Sequence, residues 1–176
     1  MIARSVMDAI GEEICHNLAG EGHTLADVER MFTRLAERED SQYSYLNTIA
    51  AVDDAGNTVG VCVGYDGASL HELRKAFIEE SRKELGLDFG EMEDETDPSE
   101  FYLDTLAVLP EYRGQGIAKK LLKAAIDRAA SIGKPAGLLV DKINTNARRI
   151  YESIGFRQVG ERPFCYVMMD HLQFVG

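Results

Sequence analysis

At 176 residues and 45% apolar content, the chain suits one domain and has enough apolar side chains to fill a core. Its net charge of −11 argues against nucleic acid and anionic membrane surfaces as partners, because both are gripped by Lys and Arg. No stretch approaches the roughly 18 apolar residues of a membrane helix, no secretory leader is legible, and Cys15, Cys62 and Cys165 lack CxxC spacing, so they read as reduced packing thiols of a cytoplasmic protein.

Along the chain, Ile2, Val6, Ala9, Ile10, Ile14 and Leu18 recur at helical spacing and predict a helix over 2–19. Thr24 suits an N-cap, with Asp27 in the first turn and Leu25, Val28, Met31, Phe32 and Leu35 on one face. Tyr43–Val52 and Thr58–Tyr65 are strand-like, and the Asp-, Gly- and Asn-containing stretch between them suits a hairpin loop. Residues 69–85 return to helical period. An acidic stretch from Asp88 to Glu100 follows, and a charge run of this kind is most simply a solvated surface, although it also suits attraction of a polycationic amine. The whole of 68–100 is longer than a tight connection and is treated as an insert that shapes a substrate site. His16, His23, His71 and His171 form no metal-ligand spacing, so no metal is expected.

A strand at 101–109, a helix at 116–131 and a strand at 136–140 make a right-handed parallel crossover. A helix at 145–154 and strands near 156–161 and 164–170 complete the pattern. The predicted fold is α/β: a mixed, mostly antiparallel central sheet with a parallel β-α-β core and helices on both faces, in one domain over 1–176.

The most informative stretch is Val108-Leu109-Pro110-Glu111-Tyr112-Arg113-Gly114-Gln115-Gly116-Ile117-Ala118. A strand ends in a loop with two glycines, and a helix starts directly after it. Free amides and the positive dipole end there make an anion site, and glycine permits the backbone geometry and close approach that such a loop needs. The nucleotide P-loop pattern fails for want of Lys-Ser/Thr after the last glycine, and the dinucleotide fingerprint fails because Lys119 stands where its third glycine belongs. Downstream, Asn144 suits a helix cap and Gly155 a left-handed C-cap. Between them Ala147, Ile150, Tyr151 and Ile154 share a face, so by spacing alone Tyr151 is as well suited to core packing as to chemistry.

Two motifs, in this order, resemble the Gcn5-related N-acetyltransferase superfamily: Arg113-Gly114-Gln115-Gly116-Ile117-Ala118 matches R/Q-x-x-G-x-G/A, and Asn144 to Phe156 matches N-x-x-A-x-x-x-Y-x-x-x-G-F. The resemblance runs from about Tyr43 to Asp170 and is strongest at the loop. It implies an acetyltransferase using acetyl-coenzyme A (acetyl-CoA), with loop amides from Arg113 to Ala118 on the diphosphate. It also implies main-chain contacts of the pantetheine arm along Leu106, Ala107 and Val108, an Asn144 contact to the same arm, and Tyr151 as general acid to the leaving thiolate. For the base that deprotonates the amine, Asp104 comes first, since period-two alternation puts it on one face with Val108; Glu100 comes second. The acceptor is a small-molecule or peptide amine. An acyl-CoA-binding module without transfer is the alternative. The superfamily's usual first strand is missing before the first helix, which suggests an open sheet edge that a second copy could cover in a homodimer.

Overall fold

The computed structural model describes residues 1–164 and 167–176; Cys165, one of the three thiols read above, lies outside them. Six strands form one sheet in the order β1-β2-β3-β4-β6-β5, namely β1 (Thr48–Val52), β2 (Thr58–Asp66), β3 (Phe101–Val108), β4 (Ala136–Val140), β5 (Phe156–Phe164) and β6 (Val167–Phe174). Among the described residues only β3 and β4 run parallel, and α5 (Ile117–Ser131) crosses between them. The expected mixed sheet, with its parallel crossover and helices on both faces, is what the chain builds.

The N-terminal helix differs from its prediction. Gly11, at φ 90°, interrupts it, leaving α1 (Ile2–Ile10) and α2 (Glu12–Ala19). In α3 (Leu25–Glu37) the expected cap forms, the Thr24 amide donating to Asp27 Oδ2 at 2.7 Å. The first strand is shorter than its sequence pattern, because Ser44 Oγ accepts from the Leu46 amide and winds Tyr45–Asn47 into a 3-10 turn before β1. The Asp53–Asn57 loop closes as foreseen, with the Asp53 carboxylate accepting from the Ala55 and Asn57 amides. At the other end β5 and β6 each run longer than predicted.

On one face, α5 and α6 (Thr145–Ile154) pack on the sheet through Leu121, Leu122, Ala125, Phe101, Leu103, Leu138 and Phe156. The other face carries α4 (Leu70–Leu85), where Leu70 and Leu73 meet Tyr65, Tyr102 and Leu139. Beside it α1, α2 and α3 share a core of Val6, Leu18, Met31, Phe32 and Phe77. Alternate residues of β4 therefore look to opposite sides, Leu138 and Val140 to α5, Leu139 to α4. Cys15 and Cys62 are buried and free. No helix among the described residues is long and apolar enough to cross a membrane.

The acidic segment before β3 is not uniformly a solvated surface. Glu95 and Glu100 are 3% and 0% exposed, each held by several polar partners. Burying a carboxylate is tolerable only when its lone pairs are satisfied in this way.

Candidate active site

The site is made by an interruption of the sheet. β3 and β4 pair at only two positions, Phe101 with Ala136 and Tyr102 with Gly137, and beyond them the strands separate. The separation leaves a cleft of about 450 Å³ lined by Asp104, Leu106, Ala107 and Val108 of β3, Arg113 and Ala118 of the loop and α5, and Asn144, Ala147, Ile150 and Tyr151 of α6. Asp8 and Ala9 of α1, Leu139 of β4 and Met169 of β6 also line it. The lining draws on both sides of the sheet, with α5 and α6 at one end and α1 at the other.

Glu100 sets the closed end of this wedge. Its carboxylate lies against Gly137, where a Cβ would come within 1.8 Å of Oε2, so only glycine lets the side chain cross β4. Beyond β4 it meets His171 Nε2 at 2.8 Å and accepts from Gln173 Nε2 at 2.8 Å, while Thr96 donates to Oε1 at 2.7 Å. These bonds hold the Glu100 carboxyl below the usual range against the opposing effect of burial. Glu100, expected as the second candidate for the base, is therefore fully engaged and does not line the cleft.

Asp104 does line it, although the alternation that pointed there is broken. On β2, Val63 pairs with Thr105 and its neighbour Gly64 with Leu103, so Asp104 is the extra residue of a β-bulge. The bulge changes the phase of the strand: Phe101 and Leu103 share the α5 side with Leu106 and Val108, an odd and an even pair. The Asp104 carboxyl accepts from Thr105 Oγ1 at 2.8 Å and is pushed up to about 7, first by burial and then by the charge of Glu95.

The loop after β3 takes the shape its glycines allow. Gly114 and Gly116 have φ of 76° and 77°, and a Cβ at either would meet nothing within 4 Å, so the space above the loop is open. The Arg113 amide is consumed by Pro110 O in a 3-10 turn, and Lys120 is the next residue to donate, to Gly116 O. Among the described residues, the amides of 114 to 119 donate to no backbone or side-chain acceptor. Orphan donors at a helix start make a site suited to an anion such as a phosphate group. The Arg113 side chain folds back onto Val108 O at 3.0 Å, occupying one of the carbonyls expected to serve a pantetheine arm. Gln115 and Ile117 contribute backbone here: the Gln115 side chain turns to Glu111 O at 3.4 Å, and Ile117 packs into the core.

On α6 both caps are as predicted. Asn144 Oδ1 accepts from the Ala147 amide at 3.1 Å, and Gly155 ends the helix in the left-handed region. Tyr151 packs at 5.9 Å on Phe156 and reaches the cleft; among the described residues its hydroxyl makes no hydrogen bond. Burial raises the phenol above its ordinary pKa, so it stays protonated at any working pH. Asp8 and Asp141 are acids of the lining that sequence reasoning missed, and Asp8 lies on the predicted first helix. Its only local signal is an acid on the polar side of an amphipathic helix, which surface solvation explains equally well.

The acetyltransferase (GNAT) family model matches residues 13–156, and the two glycine-dependent turns and the split between β3 and β4 fall within that span. The chain belongs to this family. A 69-residue stretch, 39% of the chain, is 42% identical to ribosomal protein bS18-alanine N-acetyltransferase of Haemophilus ducreyi and covers 48% of it. The chain spans less than half the length of the curated relatives it matches. A solved acetyltransferase structure aligns at TM-score 0.72 and 29% identity over 98% of this chain and 91% of its own. An N-acetyltransferase from Staphylococcus aureus Mu50 aligns at TM-score 0.76, covering 98% of this chain and 92% of its own, and at 20% identity that likeness is one of fold. Among the described residues of this GNAT chain, no group of three His, Cys, Asp or Glu side chains is placed to hold a metal.

Proposed function

We propose that the protein is an acetyl-CoA-dependent N-acetyltransferase acting on a primary amine by direct attack. The observation that carries this reading is the row of unpaired amides at residues 114–119, opening onto a cleft that runs between β3 and β4. Acetyl-CoA, when bound, supplies an acetyl thioester. The loop amides of Gly114 to Ala118 would hold its diphosphate, with Arg113 beside them. The β3 edge at Leu106 to Val108, which has no strand partner on the β4 side, would hold its pantetheine amides as an added strand holds its neighbour, once the Arg113 side chain gives up Val108 O, and Asn144 would face the same arm. A β3 amide near Leu106 is suited to polarising the thioester carbonyl.

The acceptor would enter from the α1 mouth, where Asp8 and Asp104 favour an ammonium. An alkyl ammonium has a pKa near 10.4 and must lose a proton before it attacks. Asp104 accepts that proton, directly or through water, and Tyr151 donates a hydrogen bond to the departing sulfur. A phenol made less acidic by burial is a reluctant proton giver, so its contribution is the hydrogen bond itself, and the departing thiolate takes its proton from water.

Asp104 gives the reading a pH signature. The base works ionised, so kcat/KM is expected to rise as pH passes about 7, and Asp104→Asn to lower it by about 10²-fold or more and remove that limb. The stability consequence has the opposite sense. The folded carboxyl keeps its proton up to about 7 while an unfolded aspartate loses it near pH 4, so stability falls as pH rises through that window. Asparagine removes the penalty. Asp104→Asn is expected to be more stable by about 2 kcal/mol at pH 8, less than the full linkage because the group lines an open cleft, and no more stable at pH 4. Melting curves at the two pH values check this.

Calorimetric titration with acetyl-CoA tests the ligand, and a panel of polyamines, lysine peptides and peptides with N-terminal alanine, read by release of free thiol, tests the acceptor. Absence of acetyl-CoA binding would sink the proposal. Tight binding without turnover on any amine would leave the acyl-CoA-binding alternative.

A further inference from the structure

The two outer strands of the sheet are finished differently. β5 closes one side, and along it stand Arg157, Glu161, Arg162 and Pro163, residue types that discourage a further strand from joining. β1 closes the other. Its five residues, Thr48-Ile49-Ala50-Ala51-Val52, include no charge and no proline, and the uncharged run reaches back to Tyr45. Among the described residues no strand lies outside β1, so one side of its backbone has no ladder to join. The edge has apolar shoulders as well. Ile49 and Ala51 pack on the α5 side. Thr48 and Ala50 form the floor of a groove on the other side, walled by Met1 and Ile2 of α1, Ala36 of α3 and Tyr45. Met1, Tyr45, Leu46 and Val52 are all exposed, Val52 by 61%.

We infer that β1 is the seam of a homodimer, pairing antiparallel with β1 of a second copy about a two-fold axis at Ala50. Such an axis makes an antiparallel edge its own complement. Thr48 then faces the partner's Val52, which lands beside the groove, and Ile49 faces the partner's Ala51. Alanine at the centre lets the backbones reach the usual spacing of about 4.8 Å. Two copies that each carry −11 repel, and a seam free of charge is where they can meet at least cost. The charges at its ends select a copy of this chain as the occupant. Arg128 of α5 donates to Leu46 O at 3.1 Å and lies over the Phe101 ring, and it has no acidic partner among the described residues. Asp54, just past the end of β1, is exposed and makes no hydrogen bond or ion pair among the described residues. In this register the partner's Asp54 arrives at Leu46, and so beside Arg128. The symmetry repeats the match at the other end. β1 is two strands away from β3, so the cleft stays open in the dimer.

Light scattering on the eluting protein at high micromolar concentration is expected to give twice the mass of one chain. Ala50→Lys sets two ammonium groups at the axis and is expected to give the mass of one chain, with melting temperature and acetyl-CoA binding unchanged. Asp54→Arg and Arg128→Glu are each expected to weaken dimerisation by about tenfold or more, because like charges then meet at both ends. Mixed in equal amounts, these two variants are expected to dimerise with each other, since at both ends an acid again meets an arginine. A defect confined to one chain's own fold is not repaired by adding another chain. A protein that stays single at high concentration overturns the inference, and a strand supplied by a different protein belongs to that outcome. A dimer that survives Ala50→Lys, or a mixture that fails to associate, overturns it too. If Ala50→Lys does not fold, the mixture decides. None of these outcomes bears on whether acetyl-CoA binds, which the calorimetric titration reads separately.

Discussion

Tyr151→Phe is expected to bind acetyl-CoA as tightly as the unchanged protein while losing about 10²- to 10³-fold in kcat. The substitution removes one oxygen. The ring keeps its packing on Phe156 and on the α5 face of the sheet, and the hydroxyl has no partner among the described residues whose loss would leave a buried group unsatisfied. Stability should therefore move by no more than about 0.5 kcal/mol. What is lost is a hydrogen bond that matters only as negative charge builds on the leaving sulfur, an interaction made in the transition state and not in the ground state. Acetyl-CoA calorimetry paired with thiol-release kinetics separates the two contributions. Unchanged turnover would remove Tyr151 from the chemistry and return it to the core, and weakened binding with unchanged kcat would make it a ligand contact.

The second large effect lies outside the cleft lining. Gly137→Ala puts a methyl group where Glu100 Oε2 now sits, 1.8 Å from the new Cβ. Glu100 cannot yield cheaply, since any movement breaks its bonds to His171, Gln173 and Thr96 and strands a carboxylate that is wholly buried. Losing such a set is expected to cost about 3–5 kcal/mol, a fall in Tm on the order of 10 °C for a chain of this length. Acetyl-CoA affinity should fall as well, because Gly137 is one of the two positions at which β3 and β4 still pair. A thermal melt of Gly137→Ala, repeated with Glu100→Ala added, tests the cause. If the second change recovers none of the loss, the clash is not with Glu100.

What could be read from the chain, and what could not, divides by the range of the interactions. The loop at 113–118 and the helix at 145–154 were legible because glycine, asparagine and proline act on their immediate neighbours: Gly116 turns the backbone, Asn144 caps three residues ahead, and Gly155 stops the helix it follows. The sheet's mixed character followed from element order. Asp104 reached the cleft, but through a bulge created by its pairing with β2, and no period-two count along β3 contains that partner. The place of Glu100 was hidden for a similar reason. In sequence it is the last of a run of acids, and its meaning comes from His171 and Gln173, more than 70 residues on. Glu95 belongs to the same run and is fixed by Tyr65, Gln42 and Arg74 from three other places in the chain. A charge at the end of an acidic stretch looks solvated until the fold supplies its partners. The break at Gly11 was visible as a glycine, but glycine within a helical pattern signals an interruption only weakly.

The two rungs joining β3 to β4 also make the sheet a pair of hinged plates. From Leu103 to Val108 the arm of β3, which carries β2 with it, is roughly 20 Å long, so a tilt of about five degrees at the rungs would displace its tip by roughly 2 Å. That is enough to change a hydrogen-bonded fit into a missed one. On that geometry the width of the gap would depend on the contacts at the fulcrum among Glu100, Gly137 and His171. Sequence changes among these three would retune affinity from a distance, leaving every contact residue as it was.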